Sequence, residues 1–362
     1  MLGFKRTYKL PFKFSIPNYT QDFLANASLL RCRLKYIKRL IFLLIRGQKS
    51  LEVDNILLEH QRILWINISA PSLGDSLMDL SSRILLKNKK IDLFTSKKNG
   101  NLYKNDRIFN SIFTNKEDIN RIKYDLVIID SFSSRSINIK CQIAPKVHYV
   151  GMFGYFNGPE VNRVLFSFHR MNQLLGYIKS EIELSNIAKC SISISKSDEK
   201  FVSNLKLPIK YVAIAIGGEW KHRTYEHWRQ IIQELNKIDN DLTIVLLGSN
   251  NAKDSITKIL DSHSFTNVIN GVNKYTFNQT TEIIKGAKAL LCSDGGLMHA
   301  ANAVNTPIIA IFARLSPKMQ LTQSIRAKTF YDKKDVNNIL VKDIIFKYKE
   351  LFKFDHSNLK DE

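Results

Sequence analysis

No apolar run in this chain approaches the roughly 20 residues that a membrane-crossing helix needs. The longest one near the start, residues 40–45, is preceded by Lys38 and Arg39. A polytopic membrane protein is therefore excluded, and no clean apolar core of a secretory signal is present. Cysteine is scarce: Cys32, Cys141, Cys190 and Cys292 lie far apart, with no Cys-x-x-Cys among them. Neither a zinc site nor a disulfide framework is expected, and a reducing, cytoplasmic compartment fits. With 15 Gly and 8 Pro the chain is neither collagen-like nor of low complexity. Acid is the last shortage, 33 Asp and Glu against 54 Lys and Arg, a formal charge of +21. Such a field attracts polyanions: nucleic acid, an anionic membrane or a phosphorylated substrate.

The excess is uneven. Residues 1–50 hold eleven basic side chains and one acid, Asp22, a net of +10. Within them Leu30, Leu34, Ile37, Ile41 and Leu44 recur at helical spacing, with Arg31, Lys35, Lys38 and Arg39 between. That pattern predicts a basic amphipathic helix, which either docks on an anionic membrane or packs on the fold with its charges solvated.

At 362 residues the chain has room for two domains and some length besides. From residue 62, short Val/Ile-rich strands alternate with helical segments, at 62–69, 91–95, 124–130 and 146–150, with a helix expected over about 77–86. A largely helical stretch, 161–197, follows, and a junction is expected near 191–208. The alternation then restarts with five strands, at 211–216, 242–247, 267–269, 289–292 and 307–312, and helices over 225–235 and 279–285. The predicted class is α/β, two doubly wound, Rossmann-like parallel sheets. Ligands of such sheets bind beyond the carboxyl ends of the strands, so the loops there are where chemistry is sought.

Three of those loops stand out. Ser72-Leu73-Gly74-Asp75 follows the first strand, and Asp75 stands where a helix begins, suited to a cap or to a carboxylate role. Gly217 and Gly218 permit close backbone approach to a ligand, with Lys221, His222 and Arg223 beside them as donors for a diphosphate. This is not Gly-x-Gly-x-x-Gly, so a dinucleotide fold has no support. In the third loop Asp294, Gly295 and Gly296 lead into a small-residue helix that carries His299. A helix start of this kind is an anion site.

Together these loops resemble glycosyltransferase family 9, the ADP-heptose:lipopolysaccharide heptosyltransferases of GT-B fold. Ser72 to Asp75 is similar to the family's Ser-x-Gly-Asp loop, Lys221 to Trp228 to its Lys-x-Trp-Pro-x-x-His-Trp segment, and Asp294 to His299 to its Asp-[ST]-Gly-x-x-His motif. Arg223 and Thr224 stand where the family has Trp-Pro, Gly295 where it has Ser or Thr, and Asn250 near its ribose-contacting acid. The resemblance covers roughly residues 62–345. It implies a basic extension over 1–60, an acceptor domain over 61–195, a nucleotide-sugar domain over 196–345 facing it across a cleft, and a tail over 346–362.

It further implies an inverting glycosyltransferase with neither cofactor nor metal, moving a sugar from a nucleotide donor such as ADP-heptose to a lipopolysaccharide core or similar acidic glycan. Asp75 would be the general base and Lys221 would stabilise the leaving diphosphate. Gly217, Gly218, Asn250, Tyr275, Asp294, Gly295, Gly296 and His299 would hold the donor. Such an enzyme would sit on the inner face of the cytoplasmic membrane through residues 1–50. The rival classes are a catalytically silent GT-B binding protein and a basic nucleic-acid-binding protein. Against the latter, no zinc, RNP-like or helix-turn-helix signature is present, and no nucleic-acid partner is expected. One Asp-x-Asp, Asp239 to Asp241, precedes a strand and reads as a solvated turn, with no metal role.

Overall fold

The computed structural model describes residues 29–119, 123–152, 162–260, 265–322 and 325–353. Residues 1–28 and 354–362, and with them most of the expected tail and the basic residues before position 29, lie outside the described residues. The chain divides into two compact units, Met1–Ser193 with Met319–Ser324, and Ile194–Lys318 with Ile325–Glu362.

Unit 1 opens with helix α1 (Leu29–Ile45) and is built on a five-stranded sheet. Its strands are β1 (Arg62–Asn67), β2 (Lys90–Thr95), β3 (Phe109–Phe113), β4 (Leu126–Ile129) and β5 (Tyr149–Gly151), in the order β3-β2-β1-β4-β5, and every pairing is parallel. Strand β4 is buried at every position and β1 at all but its first, as expected of a parallel sheet covered on both faces. The crossovers are α2 (Leu73–Asp79), α3 (Lys97–Tyr103) and α4 (Ser134–Ile143), and α5 (Arg163–Leu174) and α6 (Glu181–Ile187) follow the last strand. Ser72, Ser96, Ser133, Asn162 and Ser180 cap the starts of α2 to α6 in turn. Each accepts a backbone N–H that the first helical turn leaves without a partner.

Unit 2 begins with α7 (Lys196–Asn204) and carries a six-stranded parallel sheet in the order β11-β10-β9-β6-β7-β8. The strands are β6 (Tyr211–Ala215), β7 (Thr243–Leu247), β8 (Val268–Asn270), β9 (Leu290–Ser293), β10 (Ile308–Ala313) and β11 (Ala327–Asp332). Between them run α8 (Trp228–Ile238), α9 (Lys253–Leu260), α10 (Phe277–Gly286) and α11 (Gly296–Ala303), and α12 (Val341–Lys353) closes the unit. Its core joins Val212, Ile214, Trp228, Leu246, Leu291 and Ile311.

Several boundaries differ from the sequence reading. The extension expected over 1–60 is not separate from residue 43 onward, because Leu43 and Ile56 are buried in unit 1 and Val53 N–H donates to Tyr149 O. Gln48 accepts from Lys140 Nζ at 2.6 Å, and burial pulls that ammonium down to about 8. The tail expected over 346–362 begins as the second half of α12, whose Tyr348 and Leu351 pack into the core of unit 2. The domain expected over 196–345 gives up residues 319–324 to unit 1, where Leu321 O accepts from Asn162 Nδ2 at 3.0 Å and Thr322 Oγ1 donates to Ala188 O. The helix expected over 77–86 starts at Leu73, because Ser72 caps it, and gives way to a 3-10 turn, Ser81–Leu86. Strands β3 and β11 had no counterpart in the reading. Both are edge strands with partly exposed, polar sequences, FNSIF and AKTFYD, which lack the Val/Ile signature of the buried ones.

Candidate functional site

A doubly wound sheet opens a crevice where the strand order turns back on itself. In unit 2 that point lies between β6 and β9, so the loops following these two strands are neighbours. They are the loops with Gly217, Gly218 and Lys221 on one side and Asp294, Gly295 and Gly296 on the other. An ion pair joins them, Arg223 Nη1 to Asp294 Oδ2 at 3.1 Å. Asp294 is 7% exposed and its N–H donates to Ile311 O, so this carboxylate is fixed at the rim of the sheet.

The loop after β6 folds tightly. Added to Gly218, a Cβ would meet Thr224 Oγ1 at 2.5 Å and Arg223 O at 2.7 Å. At Gly217 it would meet Asn251 Oδ1 at 2.6 Å. The paired glycines thus let the chain fold against itself, which is a structural need alongside any ligand role. Lys221 is exposed in the 3-10 turn Lys221–Arg223. His222, in the same turn, is pulled below its usual value by partial burial and by Arg314 and Arg223. The far end of this motif packs: Trp228 is 2% exposed and meets Tyr225 edge-on at 5.0 Å, and Tyr225 Oη donates to Ile339 O.

The loop after β9 is built differently. Gly295 holds the N-cap position of α11 and supplies no side-chain cap. His299, one turn in, is 3% exposed. Just before the loop, Ser293 Oγ is buried with no hydrogen-bond partner among the described residues, and on α11 both amide atoms of Asn302 are in the same position. Ser293 Oγ stands at the strand end beside the crevice, whereas Asn302 is in the last turn of α11, away from the loop. Two of the expected donor contacts lie on later loops. Asn250 is exposed in the turn after β7, and its neighbour Asn251 reaches the Gly217 backbone. Tyr275, half-buried after β8, meets Phe201 edge-on at 6.2 Å.

Asp75 belongs to unit 1, in the first turn of α2, the helix that follows β1 beside the β1/β4 turning point of that sheet. It is not the cap of α2; Ser72 is. Ser72 Oγ accepts from Asp75 N–H at 3.1 Å and donates to Asp75 Oδ2 at 2.6 Å. The other oxygen accepts from Arg163 Nη1 at 2.7 Å. Arg163 also clamps Asp79 through Nε (2.9 Å) and Nη2 (2.6 and 2.7 Å). Asp79 is 2% exposed, and burial pushes its carboxyl up to about 6 against the opposing pull of Arg163. Neither partner figured in the sequence reading. Asp79 had a local signal, one helical turn beyond Asp75; Arg163 had none.

Asp239 and Asp241 lie at the opposite end of their sheet from these loops, just before β7. Asp239 Oδ2 pairs with Lys210 Nζ at 2.5 Å, and its Oδ1 accepts from Asp241 N–H. Among the described residues no group of three or more His, Cys, Asp or Glu could hold a metal ion, and no helix is long and apolar enough to cross a membrane.

Residues 158–334 match the family model of glycosyltransferase family 9 (heptosyltransferase). Over 114 residues the chain is 28% identical to lipopolysaccharide heptosyltransferase 2 of Escherichia coli (strain K12), covering 31% of this chain and 32% of that protein. Over 106 residues it is 30% identical to lipooligosaccharide heptosyltransferase 2 of Haemophilus influenzae, covering 28% of this chain and 30% of that protein. The aligned part thus spans about a third of the length of these curated relatives. Among solved structures, the glycosyl transferase family 9 protein of Veillonella parvula DSM 2008 superposes with a TM-score of 0.68 at 14% identity, over 82% of this chain and 98% of that one. The ADP-heptose lps heptosyltransferase II of E. coli gives 0.67 at 18%, over 82% and 99%. At such identities the likeness is one of fold: two parallel α/β units, as the strand pattern led one to expect, of the GT-B type that the family resemblance implied. The segment 158–334, with the Lys221–Trp228 and Asp294–His299 motifs inside it, is thereby identified as a glycosyltransferase family 9 sequence.

Proposed function

We propose that the protein is a glycosyltransferase of the heptosyltransferase kind. It is an inverting, metal-independent enzyme that moves a sugar, heptose from ADP-heptose, to a lipopolysaccharide core or a related anionic glycan. The observation that carries this reading is the β6/β9 turning point of unit 2. There an uncapped helix start, a fixed Arg223–Asp294 pair, an exposed Lys221 and a buried His299 adjoin within the family-matched segment.

In this reading unit 2 holds the donor. The N–H groups at Gly295 and Gly296 and the cation of Lys221 take the diphosphate, and Asp294 and His299 take the adjoining phosphate and sugar. Gly217, Gly218, Asn250 and Tyr275 line the nucleotide. Unit 1 supplies the base. The acceptor hydroxyl gives its proton to Asp75 as its oxygen bonds to the anomeric carbon, and the bond from that carbon to the diphosphate oxygen breaks. The electron pair leaves on the diphosphate, where Lys221 and the start of α11 stabilise it. A carboxylate has about four lone-pair positions, so Asp75 can accept that proton while it holds Ser72 and Arg163. The excess of basic residues suits an anionic acceptor, and residues 1–50 place the enzyme on the inner face of the cytoplasmic membrane.

A catalytically silent sugar-nucleotide binder is the second reading, and the Arg163–Asp75 ion pair favours it, since both oxygens of that carboxylate are already engaged by protein donors. A panel of nucleotide sugars, ADP-heptose among them, assayed against truncated core acceptors separates the two. Transfer with inversion, undiminished by EDTA, is expected. Nucleotide binding without transfer would leave the silent reading. Activity lost in EDTA and restored by Mg²⁺ or Mn²⁺ would overturn the metal-free mechanism.

A further inference from the structure

The apolar stripe of α1 points away from the unit to which the helix belongs. Leu34, Ile37, Ile41 and Leu44 are 58, 50, 50 and 58% exposed, and Ile45 is 77% exposed. At about 100° per residue these five fall within roughly a third of the circumference, and Leu43 stands opposite them. Leu43 is 1% exposed and lies in the core of unit 1, with Phe42 packed against that core. A helix that merely covers a fold does the reverse, burying its apolar stripe and solvating the other side.

A second apolar element is held out just before β1. Leu58 is 86% exposed and Leu57 46%. Lys89 Nζ donates to Leu57 O (3.0 Å), Leu58 O (3.1 Å) and His60 O (2.8 Å), and His60 Nδ1 accepts from Leu57 N–H. Four hydrogen bonds thus order a turn whose tip is two leucines, and ordering it opposes chain entropy. The turn and the end of α1 share one edge of the sheet, that from which the strands start: Gln48, just past α1, donates to Pro145 O on the approach to β5. Lys38, Arg46, Lys87, Lys90 and Lys146 are exposed there or along the helix, against the exposed carboxylates of Asp54, Glu59 and Asp125.

We propose that this face of unit 1 docks on an anionic bilayer, with the α1 stripe and the Leu57–Leu58 turn entering the interfacial layer and the surrounding lysines and arginines meeting lipid phosphates. Charge complementarity selects the occupant. Five exposed cations outnumber three exposed carboxylates around these apolar side chains, and that balance fits a surface that is negative outside and hydrocarbon beneath. A second copy meeting it about a two-fold axis would bring the same positive charge against itself. The proposal rests on the membrane partner put forward above and is independent of the sugar chemistry.

The test uses the full chain, because Leu43, Gln48 and Ile56 belong to unit 1 and a deletion would damage its core. Flotation with phosphatidylcholine vesicles, with and without phosphatidylglycerol, is expected to give binding only to the anionic set, fading as salt rises. The I37S/I41S double variant should lose roughly tenfold or more in vesicle affinity, and L58S should lose less. Both should keep the parent's melting temperature and its transfer to a soluble, delipidated acceptor, so failure of docking and failure of the transferase reading remain distinguishable. Parent-like vesicle binding by I37S/I41S would overturn the proposal. So would a marked fall in its melting temperature or a change in oligomeric state, since either outcome would mean that another part of the chain, or a second copy, covers the stripe.

Discussion

Two helices, one in each unit, begin directly beyond a strand that flanks a turning point, and they are finished in opposite ways. At α2 the start is closed by the protein itself: Ser72 caps it, and Arg163 ties Asp75 to the buried Asp79. At α11 the start is left open, with a glycine at the cap and no side-chain hydrogen bond to it. A helix start attracts negative charge. Unit 1 meets that attraction with its own carboxylate, fixed in place; unit 2 does not, and in the proposed reading a ligand meets it. The one arrangement suits a group that must be aimed, the other a diphosphate that must arrive and leave.

The comparison breaks most visibly at Asp75. Asp75→Asn keeps the shape and the Ser72 cap but removes the base, so transfer should fall by about 10²–10⁴-fold. Nucleotide affinity, measured by calorimetry, should stay near that of the parent, because the loops proposed to hold the donor lie in unit 2. Transfer within a few-fold of the parent would confine Asp75 to ordering α2.

Arg163→Met tests whether the closed end is held from within. It leaves Asp79 buried without its cation, a loss of about 3 kcal/mol or more when that carboxylate is charged. The sign with pH follows from burial, which pushes the folded carboxyl up to about 6. A carboxyl raised on folding stabilises the folded state at low pH, and that contribution is lost as pH rises through the folded value. Without Arg163 the folded value climbs further. The urea midpoint of the variant should therefore lie far below the parent's at about pH 8 and approach it at about pH 5. Equal losses at both pH values would show Asp79 not to titrate through this pair.

In the open end, Lys221→Ala should weaken donor binding by roughly tenfold and slow turnover while leaving the melting temperature unchanged, since Lys221 is exposed. Arg223→Met should lower both, because Arg223 also anchors Asp294. If the two variants behaved alike, Lys221 would be a structural residue of the loop and not a contact to the leaving group.

Much of this contrast was legible in the sequence, and the rest has physical reasons for being hidden. The strands buried on both faces, β1, β4, β7, β9 and β10, announce themselves as Val/Ile/Leu runs, and the loops beyond them follow from the parallel alternation. Edge strands β3 and β11 pack on one side only, so nothing compels an apolar run there. The spacing in α1 gave the stripe but not its direction, because the single residue that decides it, Leu43, looks in sequence like its neighbours. Arg163 meets Asp75 across 88 positions, a separation at which no local pattern carries information. Asn251 packs against Gly217, a contact made by the turn after β7 that the sequence leaves open.

The smallest expected effect sharpens the comparison most cleanly. Gly295 has φ 175° and ψ −178°, extended backbone open to any residue, and an added Cβ would meet nothing nearer than Ser293 O at 3.9 Å. Ser72 caps α2 from a similar extended conformation, φ −129° and ψ 167°. Gly295→Ser should therefore finish α11 in the manner of α2 without strain. The gain over glycine at a cap is only a few tenths of a kcal/mol, a rise in melting temperature of about 1 °C. Nucleotide affinity should change little, because the serine hydroxyl can turn to donate to a phosphate oxygen. Gly295→Asp is the counterpart. Its carboxylate caps the helix as well or better, yet its charge opposes a diphosphate at the same spot. Nucleotide binding should fall several-fold, and more at low salt than at high, although the protein is no less stable. Unchanged affinity in Gly295→Asp at low salt would mean that no anion is held at the start of α11, and the two helix starts would then differ in finish but not in use.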